Sequence, residues 1–186
     1  MNGVRGGSTE GTAEAERAAT REAFARIVAA YEAPISRYLS RLVGDLELAR
    51  DLTQDTFLAA YRALPRTEVT DMGGWLYRIA TNQALAHFRR QRLVSWVPLS
   101  RLLGKGRDPA VAGHGERVAM EASVAAALAR LDPRDRACLL LAAAGFSGEE
   151  IAGQLGCSVG AARTRLSRAR ATFRRLYHGD AQVEGR

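Results

Sequence analysis

Two long stretches of the chain carry apolar residues at helical spacing of three and four, and nowhere does a convincing length alternate apolar with polar as a half-buried strand would. The fold class that follows is all-α. Hydrophobic residues make up 47% of the chain but aromatics only 6%, so cores must be built mostly from Ala, Leu, Ile and Val, a mix that favours helices. No internal repeat is present.

The periodicity divides the chain. Residues 1–12 (MNGVRGGSTEGT) are rich in Gly, Ser and Thr, cannot repay their ordering entropy, and read as a disordered tail. From about Ala13 an amphipathic helix runs through Phe24, Ile27, Val28, Tyr31, Ile35, Tyr38 and Leu42, bent or broken at Pro34, with Gly44 as its stop. A second helix from about Asp45 to Leu64 turns Ala49, Leu52, Thr53, Thr56, Phe57, Ala60 and Leu64 inward before Pro65 ends it. A third, from Trp75 to about Arg92, has Leu76, Ile79, Ala80, Ala84 and Phe88 on its inner stripe. Residues 13–92 are thus expected to form a three-helix bundle. Prolines and glycines defeat any helical period over 93–117, which reads as a flexible linker, though Trp96, Val97, Leu99, Leu102 and Leu103 are too apolar for a purely solvated tether. A second, four-helix domain occupies 118–178: Val118 to Leu131, Arg134 to Ala144, Gly148 to Leu155, and Val159 to about Tyr177. Residues 179–186 are a tail.

A formal net charge of +7 and a pI near 10.2 point to a polyanionic partner, nucleic acid or an anionic membrane surface. Only Lys105 is a lysine, and arginine's planar fork suits phosphates and guanine edges. A GC-rich genome gives the same bias. The longest apolar run, Ala137 to Phe146, is far short of the roughly twenty residues of a membrane span. No charged-then-apolar leader opens the chain, and a cytoplasmic protein without membrane insertion is expected. Cys138 and Cys157 match no paired metal-ligand spacing and read as buried free thiols; His87, His114 and His178 are scattered. Without a paired-carboxylate, His/Cys or glycine-rich phosphate site, no enzyme, metal or cofactor is expected.

The sharpest local pattern is GFSGEEIAGQLGCSVGAARTRLSRARATFRR, residues 145–175. Ser147 and Glu150 have capping-box spacing, Gly156 can take the left-handed conformation that ends a helix, and Ser158 caps the next. A short helix, a glycine turn and a long capped helix form a helix-turn-helix, whose second helix enters the DNA major groove. Its seam is Ala162, Leu166, Ala169, Phe173 and Leu176. From Val159 to His178 there is no acid, while Arg163, Arg165, Arg168, Arg170, Arg174 and Arg175 are present. An ordinary solvated arginine face is the alternative, but like charges on one helix repel without a polyanion. Ser158, Arg163, Thr164, Arg165, Ser167, Arg168 and Arg170 are the candidate duplex contacts, Arg163 best placed for base edges and the later arginines for phosphates.

In the first bundle the charges segregate. Eleven of the twenty acids fall between Glu10 and Asp71, whereas Leu76 to Arg92 has none and carries Arg78, Arg89, Arg90 and Arg92. Asp51, Gln54, Asp55, Leu58 and Arg62 share the stripe of the second helix opposite its core, either a solvated face or a docking face for a basic partner. Trp75, Tyr77, Asn82, Gln83 and His87 near the basic helix have the chemistry to stack on and hydrogen-bond to unpaired bases, although Trp75 also begins the core stripe.

ARDLTQDTFLAAYRAL (49–64) followed by GWLYRIATNQALAHFRRQR (74–92) resembles conserved region 2 of the extracytoplasmic-function sigma factors of bacterial RNA polymerase. ALARLDPRDRACLLLAAAGFSGEEIAGQLGCSVGAARTRLSRAR (127–170) resembles their region 4, in the same order. The resemblance implies that Asp51, Gln54, Asp55 and Leu58 dock on the clamp helices of the polymerase's largest subunit. Trp75, Tyr77, Arg78, Asn82, Gln83, Arg89, Arg90 and Arg92 would capture the −10 element as it opens, with Asn82 reading a base. The second domain would read the −35 element as duplex, near the flap region, and the linker would run toward the RNA exit path. An anti-sigma factor is a further partner implied by how the family is controlled. Ala86 stands where the family usually has an acid, and Ala162 where it favours a β-branched residue. A conventional helix-turn-helix regulator that never binds polymerase is the competing expectation.

Overall fold

The computed structural model describes residues 7–94 and 115–181, with side chains described over 18–92 and 119–179. Seven α-helices and one 3₁₀ turn account for these residues, and there is no strand among them: α1 Gly7–Val43, α2 Leu46–Ala63, the 3₁₀ turn Leu64–Arg66, α3 Met72–Val94, α4 Gly115–Ala129, α5 Pro133–Ala143, α6 Gly148–Leu155 and α7 Val159–Ala181.

α1 and α2 pair first. Gly44 at φ +75° turns the chain, a conformation that costs a residue with a Cβ, and the Asp45 carboxylate then caps α2 by accepting from Leu48 N at 3.0 Å. The inner stripe of α2 is buried from Ala49 to Ala60 as its spacing requires; Leu64, at the turn, is only half-buried. Thr53 and Thr56 take interior positions by sending their hydroxyls back to the carbonyls of Ala49 and Leu52, each at 2.7 Å. α3 closes the bundle, burying Leu76, Ala80 and Ala84 against Ile35, Leu39 and Leu42. A buried chain of hydroxyls runs through it: Tyr38 Oη lies 2.7 Å from Thr81 Oγ1, which donates to the Tyr77 carbonyl at 2.7 Å.

In the second bundle α4, α5 and α6 pack on α7. Leu128, Leu131, Ala137, Cys138, Leu141, Ile151, Leu155 and Ala162 form its interior. The capping box at α6 is complete, with Ser147 Oγ accepting from Glu150 N at 3.2 Å and Ser147 N donating to Glu150 Oε2 at 2.7 Å. Gly156 sits at φ +62° and Ser158 Oγ accepts from Ala161 N at 3.2 Å, so both helix ends of the motif are closed as expected.

Four expectations change. α1 begins at Gly7, so half of the tail read as disordered is helical; extending an existing helix needs no new nucleus. Residues 1–6 lie outside the described residues. Pro34 lies inside α1 without ending it, because packing against α2 and α3 holds the helix on both sides. α3 starts at Met72, three residues early. A Cβ at Gly74 would displace the Asp71 carboxylate that folds over it. Last, α3 runs to Val94, α4 begins at Gly115 and α7 continues to Ala181, which shortens the expected linker and tail; 95–114 and 182–186 lie outside the described residues.

The two bundles also pack against each other. α5 and α6 rest on α1 and α3, and buried side chains of both bundles form one continuous cluster. A single-helix stripe cannot disclose this, because it records that a face is apolar and not which partner covers it.

Candidate functional site

Three charged faces result. On α2, Asp51, Gln54 and Asp55 are exposed together with Leu58, which keeps 43% of its surface. Beside them a groove of about 730 Å³ opens between α1 and α2, lined by Phe24, Val28, Arg37, Leu46, Gln54, Phe57, Leu58 and Tyr61. Leu46 at 70% and Tyr61 at 40% exposure complete a largely apolar floor, with Glu32, Arg37 and Arg50 also lining the groove and the Asp51 and Asp55 carboxylates beside it on α2. The sequence pointed to the acids and Leu58 but not to the groove, because Phe24 and Tyr61 come from different helices and meet edge-to-face at 5.0 Å only after folding.

On α3, Arg78, Asn82, Arg89, Arg90 and Arg92 are exposed, Arg92 reaching Asp132 of the second bundle at 3.2 Å. Trp75 is half-buried and packs against the core. Gln83 is engaged inside its own bundle, its Oε1 3.0 Å from Thr56 Oγ1. Tyr77 stacks edge-to-face between Tyr38 and Phe146, both at 5.0 Å, and burial pushes its hydroxyl's pKa up. Of the eight residues expected here, five are exposed, Arg92 while paired with Asp132, and Trp75, Tyr77 and Gln83 are engaged in packing.

On α7, the arrangement follows from 100° per residue. With Ala162 and Ala169 buried, Arg163, Ser167, Arg170 and Arg174 line one flank, and Thr164, Arg168 and Arg175 the outer face. Ser158 is exposed at the helix start. Arg165 turns the other way and pairs with Asp135 of α5, half-buried. Arg163 lies 3.8 Å from Glu149 across the turn, both side chains exposed. The acid-free stretch therefore does not leave all six arginines uncompensated: two find carboxylates on neighbouring helices, which local sequence could not reveal.

The two thiols differ in exposure. Cys138 is fully buried, burial pushing its pKa up to about 11, and Cys157 is half-buried. Among the described residues no group of three His, Cys, Asp or Glu side chains is placed to hold a metal ion, and no described helix is long and apolar enough to cross a membrane.

The acidic face of α2, the basic α3 and the capped helix-turn-helix follow one another along the chain in that order. The sigma-70 region 2 family matches residues 27–94, and the sigma-70 region 4 family matches residues 121–173. The chain is 34% identical over 145 residues to the ECF RNA polymerase sigma factor SigE of Mycolicibacterium smegmatis, covering 75% of this chain and 56% of that protein's length. It is 32% identical over 178 residues to the RNA polymerase sigma factor CarQ of Myxococcus xanthus, covering 90% of this chain and 96% of CarQ. Among solved structures, the sigma factor RpoE of Bartonella quintana, crystallised with the anti-sigma factor NepR, superposes with a TM-score of 0.68 at 25% identity, covering 83% of this chain and 96% of RpoE. The chain belongs to the extracytoplasmic-function sigma factors.

Proposed function

We propose that the protein binds core RNA polymerase and directs it to promoters by reading two DNA elements, without catalysing a reaction itself. The observation that carries this is the separation of three exposed faces in one chain: Asp51, Gln54, Asp55 and Leu58 beside an apolar groove on α2, Asn82 with Arg89 and Arg90 on α3, and Arg163, Ser167 and Arg168 on α7. A regulator that only bound DNA would need no acidic face, since acids repel phosphates.

The α2 face suits the clamp helices of the largest polymerase subunit, the groove taking apolar side chains and the carboxylates meeting basic ones. α3 and the segment before it suit the unpaired −10 strand, with Asn82 offering both donor and acceptor to a base edge. α7 suits the major groove of the −35 duplex near the flap region, Arg163 toward bases and Arg168, Arg170 and Arg174 toward phosphates. Each face binds weakly alone, and linkage raises the effective concentration of the next. The protein acts at the nucleoid, where polymerase and promoters are. An anti-sigma factor, as RpoE has in NepR, is the fitting regulator.

Core polymerase supplied with the chain should start transcripts in vitro that core alone does not, and sequencing their 5′ ends identifies the promoters. Asp51→Lys with Asp55→Lys should abolish co-purification with core while leaving duplex binding intact. Failure of the parent chain to bind core would overturn the proposal in favour of a conventional helix-turn-helix regulator.

A further inference from the structure

We infer that Asp135 limits the protein's sequence-independent affinity for DNA: it holds Arg165 of the recognition helix against α5 and so withholds one cation from the phosphate backbone. The inference rests on the DNA-reading function proposed above and concerns how tightly the α7 face grips any duplex.

By position Arg165 belongs among the phosphate contacts. It stands on α7 three residues before the exposed Arg168 and about 60° round the axis from it, in a stretch with no acid of its own. The fold sends it elsewhere. Its Nη1 donates to Asp135 Oδ1, and each of the two side chains keeps only 28% of its surface. The other cross-helix pair of α7 differs in kind. Arg163 and Glu149 are 3.8 Å apart and 71% and 76% exposed, so solvent and salt already screen them and a base edge can take Arg163 over. A half-buried, hydrogen-bonded pair is screened less and is charge-assisted, so Arg165 stays where it is.

Asp135 does not follow its partner outward. It lies in the first turn of α5, where the helix dipole favours a carboxylate. The start of that helix is pinned as well: Asp132 Oδ1 accepts from Arg134 N at 2.9 Å, and the buried Arg136 donates through Nη2 to the carbonyls of Ala129 and Leu131 at 2.8 and 3.2 Å. To reach a phosphate, Arg165 must therefore give up one anion for another, and the exchange gains little. With position 135 neutral the balance changes. Arg165 and Arg168, three residues apart on one helix, then repel each other until a phosphate neutralises them.

The consequence is a deliberately light grip. Each phosphate neutralised steepens the dependence of log affinity on log salt by about 0.9, and it does so for every sequence alike. Withholding one cation thus lowers retention on unrelated duplex without touching base readout. That suits a chain whose faces act together through linkage on polymerase, where weak single contacts suffice.

The test uses the full chain, Asp135→Asn, Arg165→Met and the double variant. Fluorescence anisotropy with a labelled duplex of unrelated sequence, between about 50 and 200 mM salt, reads affinity and salt slope. Asp135→Asn should bind about three- to eightfold more tightly at about 100 mM salt, with a slope steeper by about 0.9. Arg165→Met should keep the parent's slope although it deletes an arginine of the recognition helix, and the double variant should keep it too. A slope shallower by about 0.9 in Arg165→Met overturns the inference, because Arg165 then meets DNA in the parent. A steeper slope that survives in the double variant also overturns it, since the gain then comes from losing an acid and not from freeing Arg165. So does an unchanged slope in an Asp135→Asn variant whose helical circular dichroism matches the parent's. Should Asp135→Asn fail to fold, the slope of Arg165→Met decides alone. A parent that binds no duplex even at the lowest salt refutes the DNA-reading function itself, and this inference with it.

Discussion

Ser147→Ala should destabilise the protein by about 1 kcal/mol, the usual loss when a serine N-cap becomes alanine. Ser147 is exposed, so the change deletes a hydroxyl and little packing. What it removes is the acceptor 3.2 Å from Glu150 N, at the start of a helix only eight residues long, where four amide groups lack intrahelical partners. In a chain of this size that corresponds to a melting temperature about 2–4 °C lower. The reciprocal half, Ser147 N to Glu150 Oε2 at 2.7 Å, gives the effect a pH signature. That amide, and secondarily the hydroxyl, hold the Glu150 carboxyl below its ordinary value. A depressed carboxylate contributes in full above the unfolded value, about 4.3, and loses its contribution as pH falls through the folded one. Glu150→Gln should therefore be less stable than the parent at pH 7 and converge on it as the pH is lowered past 4. Thermal unfolding followed by circular dichroism on the parent, both single variants and the double variant reads all of this. The two groups act as one unit, so the double variant should lose less than the sum. Strict additivity, or a Ser147→Ala melting temperature equal to the parent's, would refute the reasoning.

Leu39→Ala, at a fully buried position on α1, should cost about 2–5 kcal/mol by denaturant titration; a loss of under about 1 would mean the first bundle is not packed as described. Cys138 should resist thiol reagents at pH 8 while Cys157 reacts, since Cys138 is fully buried and its thiol is kept neutral; equal labelling rates would contradict its position. The raised thiol value has a stability consequence too. The neutral form is favoured in the fold, so its contribution is whole below pH 9 and is lost as pH rises toward 11. Arg168→Ala should weaken duplex binding similarly across sequences and reduce the salt slope by about 1, whereas Arg163→Ala should relax base preference.

Local signals were legible where one segment determines its own structure. Ser147, Glu150, Gly156 and Ser158 specify the helix-turn-helix because each acts on residues within four positions of itself. The α2 stripe was legible because its period alone distinguishes Thr53 and Thr56 as interior, even though both are polar. What sequence could not disclose depends on which helices meet. Leu39, Thr81 and Leu85 are buried because neighbours cover a second side of their helices, beyond the single stripe that a period identifies. Arg165 belonged with the DNA-facing arginines by composition, yet Asp135, thirty residues earlier, claims it. Arg136 gave no signal at all among so many arginines, and its role became evident only from burial. The docking groove beside Asp51 and Asp55 likewise needs two helices to exist.

Arg136 of α5, only 6% exposed, joins the two bundles by donating to carbonyls at the ends of α1 and α4, and this shapes how their contact would drift over generations. Its acceptors, Leu42, Ala129 and Leu131, are all main-chain oxygens, which every amino acid supplies. A change of side chain at position 42 need not remove the acceptor, provided α1 still ends there. Such a contact can persist while the residues around it diverge, without compensating pairs of substitutions to mark it. Searches for co-varying positions would then pass over the joint between the bundles, and the retention of a helix end opposite a buried arginine is the feature to compare instead.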